Sequence, residues 1–132
     1  MAIHAIVPQE VRAAAERARM SPGVISGDFV FLTGTTGVGV DGQMPEDPTT
    51  QFRNAFDKIG TVLRAGGLAF SSIVEMTTYH VGLREHFDLF DAIRLDYLTE
   101  PYPAWTAVEV AGLRREGAII EIRIIASMNA DG

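Results

Sequence analysis

From Ala118 to Ala126 the chain reads Ala-Ile-Ile-Glu-Ile-Arg-Ile-Ile-Ala, a pattern with a period of two. Successive side chains of a strand point to opposite faces, so Ile120, Ile122, Ile124 and Ala126 share one face. Ile119, Glu121, Arg123 and Ile125 share the other. A face left to water rarely carries β-branched residues at both ends, and a face sunk in one core rarely holds Glu and Arg at its middle. The pattern predicts that another subunit covers this second face, with the two charges in a wet cleft. An ordinary ion pair on a half-exposed sheet is the competing reading. Pro101 to Val110 is a second extended stretch. The charged turn Arg114-Arg115-Glu116, ending on Gly117, predicts that the two stretches pair with each other.

The other elements follow from the same two periods. His4 to Val7 reads as a short strand stopped by Pro8. Gln9 to Met20, rich in Ala, Arg and Glu, reads as a short helix or an irregular arm. Val24 to Ser26 and Phe29 to Thr35 read as strands joined by a tight turn at Gly27-Asp28. The second of these is almost continuously apolar and predicts a central strand covered on both faces. Asp47 and Pro48 suit the N-cap and first position of a helix whose stripe is Phe52, Ala55, Phe56, Ile59 and Leu63. Gln51, Arg53, Asp57, Lys58 and Arg64 lie mostly outside that stripe, and Gly66-Gly67 ends the helix. Ser72 to Val81 reads as a strand with Val74, Met76, Thr78 and His80 on one face and Ile73, Glu75, Thr77, Tyr79 and Val81 on the other. Arg84 to Thr99 reads as a second helix, with Phe87, Phe90, Ile93, Tyr97 and Leu98 inward. The order predicts an α+β fold, two amphipathic helices covering one face of a single sheet. The face left over carries Ile73, Tyr79, Ile119 and Ile125. At about 25 cal/mol per Å2, leaving it wet forgoes roughly several kcal/mol, so self-association is expected.

Composition narrows the classes. At 132 residues the chain reads as one domain over 1–132, with residues 1–20 a variable N-terminal arm and 129–132 a tail. The absence of cysteine excludes disulfides, thiolate catalysis and cysteine metal sites, and suits a cytoplasmic location. A net charge of −6 with 11 Lys and Arg argues against nucleic acid as a partner. No apolar run approaches the roughly 20 residues of a membrane span, and no secretion signal is expected at the N-terminus. The glycines from Gly34 to Gly42 fit no phosphate-binding spacing and read as turn chemistry. His80 reads as a lone histidine with His4 and His86 in unrelated contexts, so neither a metal nor any cofactor is expected.

Several segments together resemble the Rid family, also called YjgF/YER057c/UK114, over roughly residues 20 to 127. They are Ser21-Pro22, Val30-Phe31-Leu32-Thr33-Gly34, Gln51 through Gly66-Gly67, Val74-Glu75-Met76-Thr77, Tyr102-Pro103-Ala104, Val108-Glu109-Val110, Gly117 and Glu121-Ile122. The resemblance implies a chorismate-mutase-like fold, a single mixed sheet in a homotrimer, and small-molecule clefts at the subunit interfaces. Active members hydrolyse enamines and imines to a keto acid and ammonia. Their Pro-Ala-Arg arginine binds the substrate carboxylate, and a glutamate on the last strand is thought to position the water.

In this chain the glutamate position matches Glu121, and the arginine position is Trp105. A neutral indole cannot make the two charge-assisted bonds of a guanidinium. The family's tyrosine ahead of Ser-Pro aligns with Met20, its helix asparagine with Asp91, and its Ser-Gly-Gln with Thr33-Gly34-Thr35. These departures predict a less cationic, more apolar cleft. Arg123 is the nearest substitute cation, or else the partner of Glu121 in a plain ion pair. The reading expected is a deaminase-type hydrolase with Glu121 as catalytic residue and the Thr106 and Ala107 N–H groups polarising the reacting bond. Trp105 would stack on or enclose the substrate, and activity on 2-aminoacrylate should be weak. The alternative is a non-catalytic trimeric module that binds a metabolite or protein. Ribonuclease action, attached to some members, is disfavoured by the acidic charge.

Overall fold

The computed structural model describes residues 3–129. Seven strands form one sheet: β1 (His4–Ile6), β2 (Gly23–Ser26), β3 (Phe29–Leu32), β4 (Thr35–Thr36), β5 (Ile73–His80), β6 (Ala104–Glu109) and β7 (Ile120–Ser127). The helices are α1 (Arg12–Ala18), preceded by a 3-10 turn at Gln9–Val11, α2 (Pro48–Ala65) and α3 (Leu83–Arg94). The spatial order is β1-β2-β3-β7-β5-β6, with β4 also on β7. All neighbours are antiparallel except β5 and β6, so the sheet is mixed.

The paired halves expected at 101–110 and 118–126 are not neighbours. β5 lies between them, bonded to β6 in parallel and to β7 antiparallel. The ten residues between β6 and β7 give the chain room to pass β5, which a tight hairpin would not. The inward face of β7 holds: Ile120, Ile122, Ile124 and Ala126 are fully buried against α2 and α3.

Two face assignments change. A register shift between Ile73 and Glu75 turns Ile73 into the core and exposes Val74. In β3 only Val30 and Leu32 are covered, while Phe29 and Phe31 are 46% and 39% exposed. The surface opposite the helices therefore carries Phe29, Phe31, Val74 and Val108 as well as the partly buried Ile125 and Tyr79.

Helix α2 starts as its sequence requires: Asp47 Oδ2 accepts from the Thr50 N–H at 2.9 Å, and Pro48 opens the first turn. Gln51, expected outside the stripe, is buried. Its Nε2 donates to Pro45 O and Gly117 O, both at 2.8 Å, and its Oε1 accepts from Ile119 N at 3.0 Å. One amide thus pins the glycine loop and the start of β7 to the helix. Gly37 permits the approach, since a Cβ there would lie 2.7 Å from the Gln51 carbonyl carbon. Helix α3 ends at Arg94, short of the expected Thr99, and Tyr97 and Leu98 follow in turns. Residues 130–132 of the expected tail lie outside the described residues.

Candidate active site

Strand pairing along β7 is irregular a second time, on its β3–β4 side, and the candidate site sits there. Phe31 faces Ile125 and Thr35 faces Ile122, so four steps on one side match three on the other. The extra residue makes a bulge between Leu32 and Thr35. Its polar groups are satisfied from the segment before β2: Thr33 N donates to Pro22 O at 3.0 Å, and Thr33 Oγ1 donates to Ser21 O at 2.6 Å. These bonds bring Met20 beside the bulge.

Glu121 lies against Gly34. A Cβ on Gly34 would fall 2.9 Å from the Glu121 Cδ and 3.1 Å from its Cγ, so the carboxyl group rests on bare backbone that only glycine leaves open. Glu121 opens into a cleft of about 620 Å3. Met20 and Thr33 to Thr36 form one wall. Val11 of the 3-10 turn and Ala14, Ala15 and Ala18 of α1 form a second, apolar wall. Lys58 and Val62 of α2, with Arg114 and Arg115 before β7, close the remainder. Five of the sequence-predicted residues therefore meet here: Met20, Thr33, Gly34, Thr35 and Glu121.

The others lie elsewhere in the subunit. Trp105 turns to the helix side of β6. Its ring stacks on Phe87 at 5.6 Å, its Nε1 donates to Thr78 Oγ1 at 2.9 Å, and the Arg94 guanidinium sits 4.5 Å from its ring centre. Asp91 accepts from Arg94 Nε at 2.7 Å, so Asp91, Arg94 and Trp105 form one shelf. Thr106 faces away from the helices. Because Val110 N donates to His80 O, strand alternation turns the Thr106 N–H toward β5 and leaves the Ala107 N–H on the open edge. Arg123 is exposed opposite Thr77 and does not line the cleft. Among the described residues the ion pairs are Arg53–Asp96 and Arg94–Asp91, so Glu121 and Arg123 do not form one.

Lys58, Arg114 and Arg115, which the sequence did not single out as site residues, also line the cleft. Burial first, and the Arg115 charge second, pull the Lys58 ammonium down to about 8. Sequence reading missed Lys58 because it stands just off the apolar stripe, although it shares a helix flank with Val62 four residues on. The alanine face of α1 was legible, but not what it would face.

The histidines also differ from expectation. His86 is packed on His80, with ring centres 5.7 Å apart. His80 is fully buried, its Nε2 2.7 Å from Thr78 Oγ1, while His80 Nδ1 and His86 Nε2 are buried without partners. Burial, helped by His86, pulls His80 down to about 4. Among the described residues no group of three or more His, Asp or Glu side chains could hold a metal ion, and no helix could cross a membrane.

The sequence model of the family described as "Endoribonuclease L-PSP" matches residues 10–128. The chain is 35% identical over 109 residues to the RutC family protein YjgH of Escherichia coli (strain K12), covering 82% of each. It is 32% identical over 108 residues to the 2-iminobutanoate/2-iminopropanoate deaminase of the same organism, covering 79% of this chain and 83% of that one. A solved structure of protein YJGH superposes with a TM-score of 0.86 at 32% identity, covering 95% of both chains.

Proposed function

The chain belongs to the endoribonuclease L-PSP family, the Rid family, and from that premise we propose that it hydrolyses small imines or enamines in the Glu121 cleft. The observation that carries this reading is the seat of Glu121: a carboxylate on a buried strand, held over the bare backbone of Gly34 at the side of an open cleft. In that position it takes a proton from water as the water oxygen attacks the imine carbon. That proton passes to nitrogen, giving a carbinolamine; Glu121 then carries the hydroxyl proton to the amine as the C–N bond breaks, and a carbonyl compound and ammonia leave. The relative named 2-iminobutanoate/2-iminopropanoate deaminase supports this class of reaction.

In this proposal the working site is completed by assembly. A homotrimer covers the exposed Phe29, Phe31, Val74 and Val108 and brings the Trp105 shelf, with the open Ala107 N–H, to a neighbour's Glu121. One observation favours a second reading. Trp105 occupies its position as a packing residue, which suits a trimeric module that binds without chemistry. Ammonia release from a panel of freshly generated imines separates the two. Under the hydrolase reading Glu121→Gln lowers kcat by about a hundredfold or more with the fold intact. Absence of turnover on every imine, with affinity alone changed in Glu121→Gln, would establish the binding module instead.

A further inference from the structure

The Glu121 cleft holds three cations, none of them in an ion pair among the described residues. Lys58 makes no hydrogen bond or ion pair among the described residues, and Arg115 spends one N–H on the Gly42 carbonyl at 3.2 Å. Arg114 and Arg115 are exposed at the rim, and Lys58 is half-buried. The acidic groups around them are Glu116, next to Arg115 in the same exposed turn, Glu121 across the cleft and, in an adjoining hollow that shares Lys58, Asp41 and Asp57. Neither aspartate pairs with Lys58: Asp41 accepts from Gln43 N, and Asp57 from the Tyr97 hydroxyl. In a chain of net charge −6, like charges gathered on one cleft are a departure from the surface at large.

Their placement is not loose. Gln51 ties Gly117 and Ile119 to α2, the helix that carries Lys58, so the Arg114–Arg115 turn is held at a fixed distance from the ammonium. The depressed Lys58 pKa records the same proximity, since the Arg115 charge is one of its causes. The opposite wall is apolar and made largely of alanine, from Ala14, Ala15 and Ala18. A volume of about 620 Å3 exceeds what a three- or four-carbon acid fills and lies in the range of clefts that hold drug-sized ligands.

We propose that Lys58, Arg114 and Arg115 form an anion-receiving subsite, and that the ligand of this cleft is an amphipathic carboxylate. Its charged head lies on these cations, its apolar body lies along the alanine face of α1, and its polar end reaches Glu121. Trp105 does not line this cleft, so the subsite does not depend on a guanidinium at that position. It rests on the placement of ligand in the Glu121 cleft proposed above, but not on turnover there.

Calorimetric titration of the full-length protein with phenylacetate, its uncharged amide phenylacetamide, and acetate tests this. Phenylacetate is expected to bind at least about tenfold tighter than either comparator, because only it engages both the cations and the alanine wall. Lys58→Gln and Arg115→Gln are each expected to weaken phenylacetate by about five- to tenfold. Added salt should weaken the carboxylate and not the amide, a readout that needs no variant. Equal affinity for phenylacetate and its amide, no binding of phenylacetate, or indifference to both cation substitutions would overturn the proposal. Because the titration reads binding alone, it separates this outcome from a failure of hydrolysis, which the Glu121→Gln turnover measurement reads.

Discussion

The Glu121 cleft and the Trp105 shelf hold the two sets of residues that the sequence joined into one site, and they are built on opposite principles. The cleft is held open by backbone: a bulge, a glycine under a carboxylate, and two bonds from Thr33 to Ser21 and Pro22. The shelf is closed by side chains, with Phe87, Phe90 and Arg94 packed on the indole and Thr78 bonded to its N–H. An open cleft contributes little to stability and leaves its groups available to a ligand. A packed aromatic contributes to stability and has its polar atom already engaged. Trp105 is thus part of the core's margin.

That contrast predicts different costs on the two sides. Trp105→Ala should destabilise the protein by about 3 kcal/mol, since it removes a large partly buried ring and leaves the Thr78 hydroxyl with one partner fewer. Urea unfolding checks this, with Glu121→Gln as the paired control. The control should shift stability by less than about 1 kcal/mol while abolishing any turnover. Equal losses in both variants would erase the distinction.

Thr78 extends the shelf inward to His80, which gives a second test. Burial pulls His80 down to about 4 from its ordinary 6.5. Between those values the unfolded chain binds a proton that the folded chain refuses, so stability falls as pH falls through that window. The loss from about pH 7 to about pH 5 should be roughly 2 kcal/mol, measured by unfolding at each pH, and His80→Gln should flatten the slope. An unchanged slope in that variant would place the titrating group elsewhere.

The smallest effect belongs to Arg94. Its stacking on Trp105 and its bond to Asp91 are partly exposed, so Arg94→Met should cost only about 0.5–1 kcal/mol. A loss as large as that of Trp105→Ala would make the guanidinium, not the ring, the centre of the shelf.

Much of this was legible in the chain. The buried isoleucines of β7, the cap at Asp47-Pro48, the stripe of α2 and the turn at Gly27 are local, because they depend on periods of two and 3.6 and on backbone preferences of single residues. The α+β class and the unequal faces of the sheet followed from them. So did the grouping of Met20, Thr33, Gly34, Thr35 and Glu121, through the family pattern.

Other features needed the assembled fold. Strand β5 came between the two stretches that looked like a hairpin, since strand order is set by which faces pack on the helices and not by closeness in sequence. A one-residue register shift, invisible in composition, moved Ile73 inward and Val74 outward. Gln51 became a buried clasp, and His86 came to rest on His80. Lys58, Arg114 and Arg115, some 56 residues apart, were brought to one cleft. Periodicity fixes which way a side chain points from its own backbone. Which distant group it meets there is settled only when the elements pack, because that contact is a property of the pair.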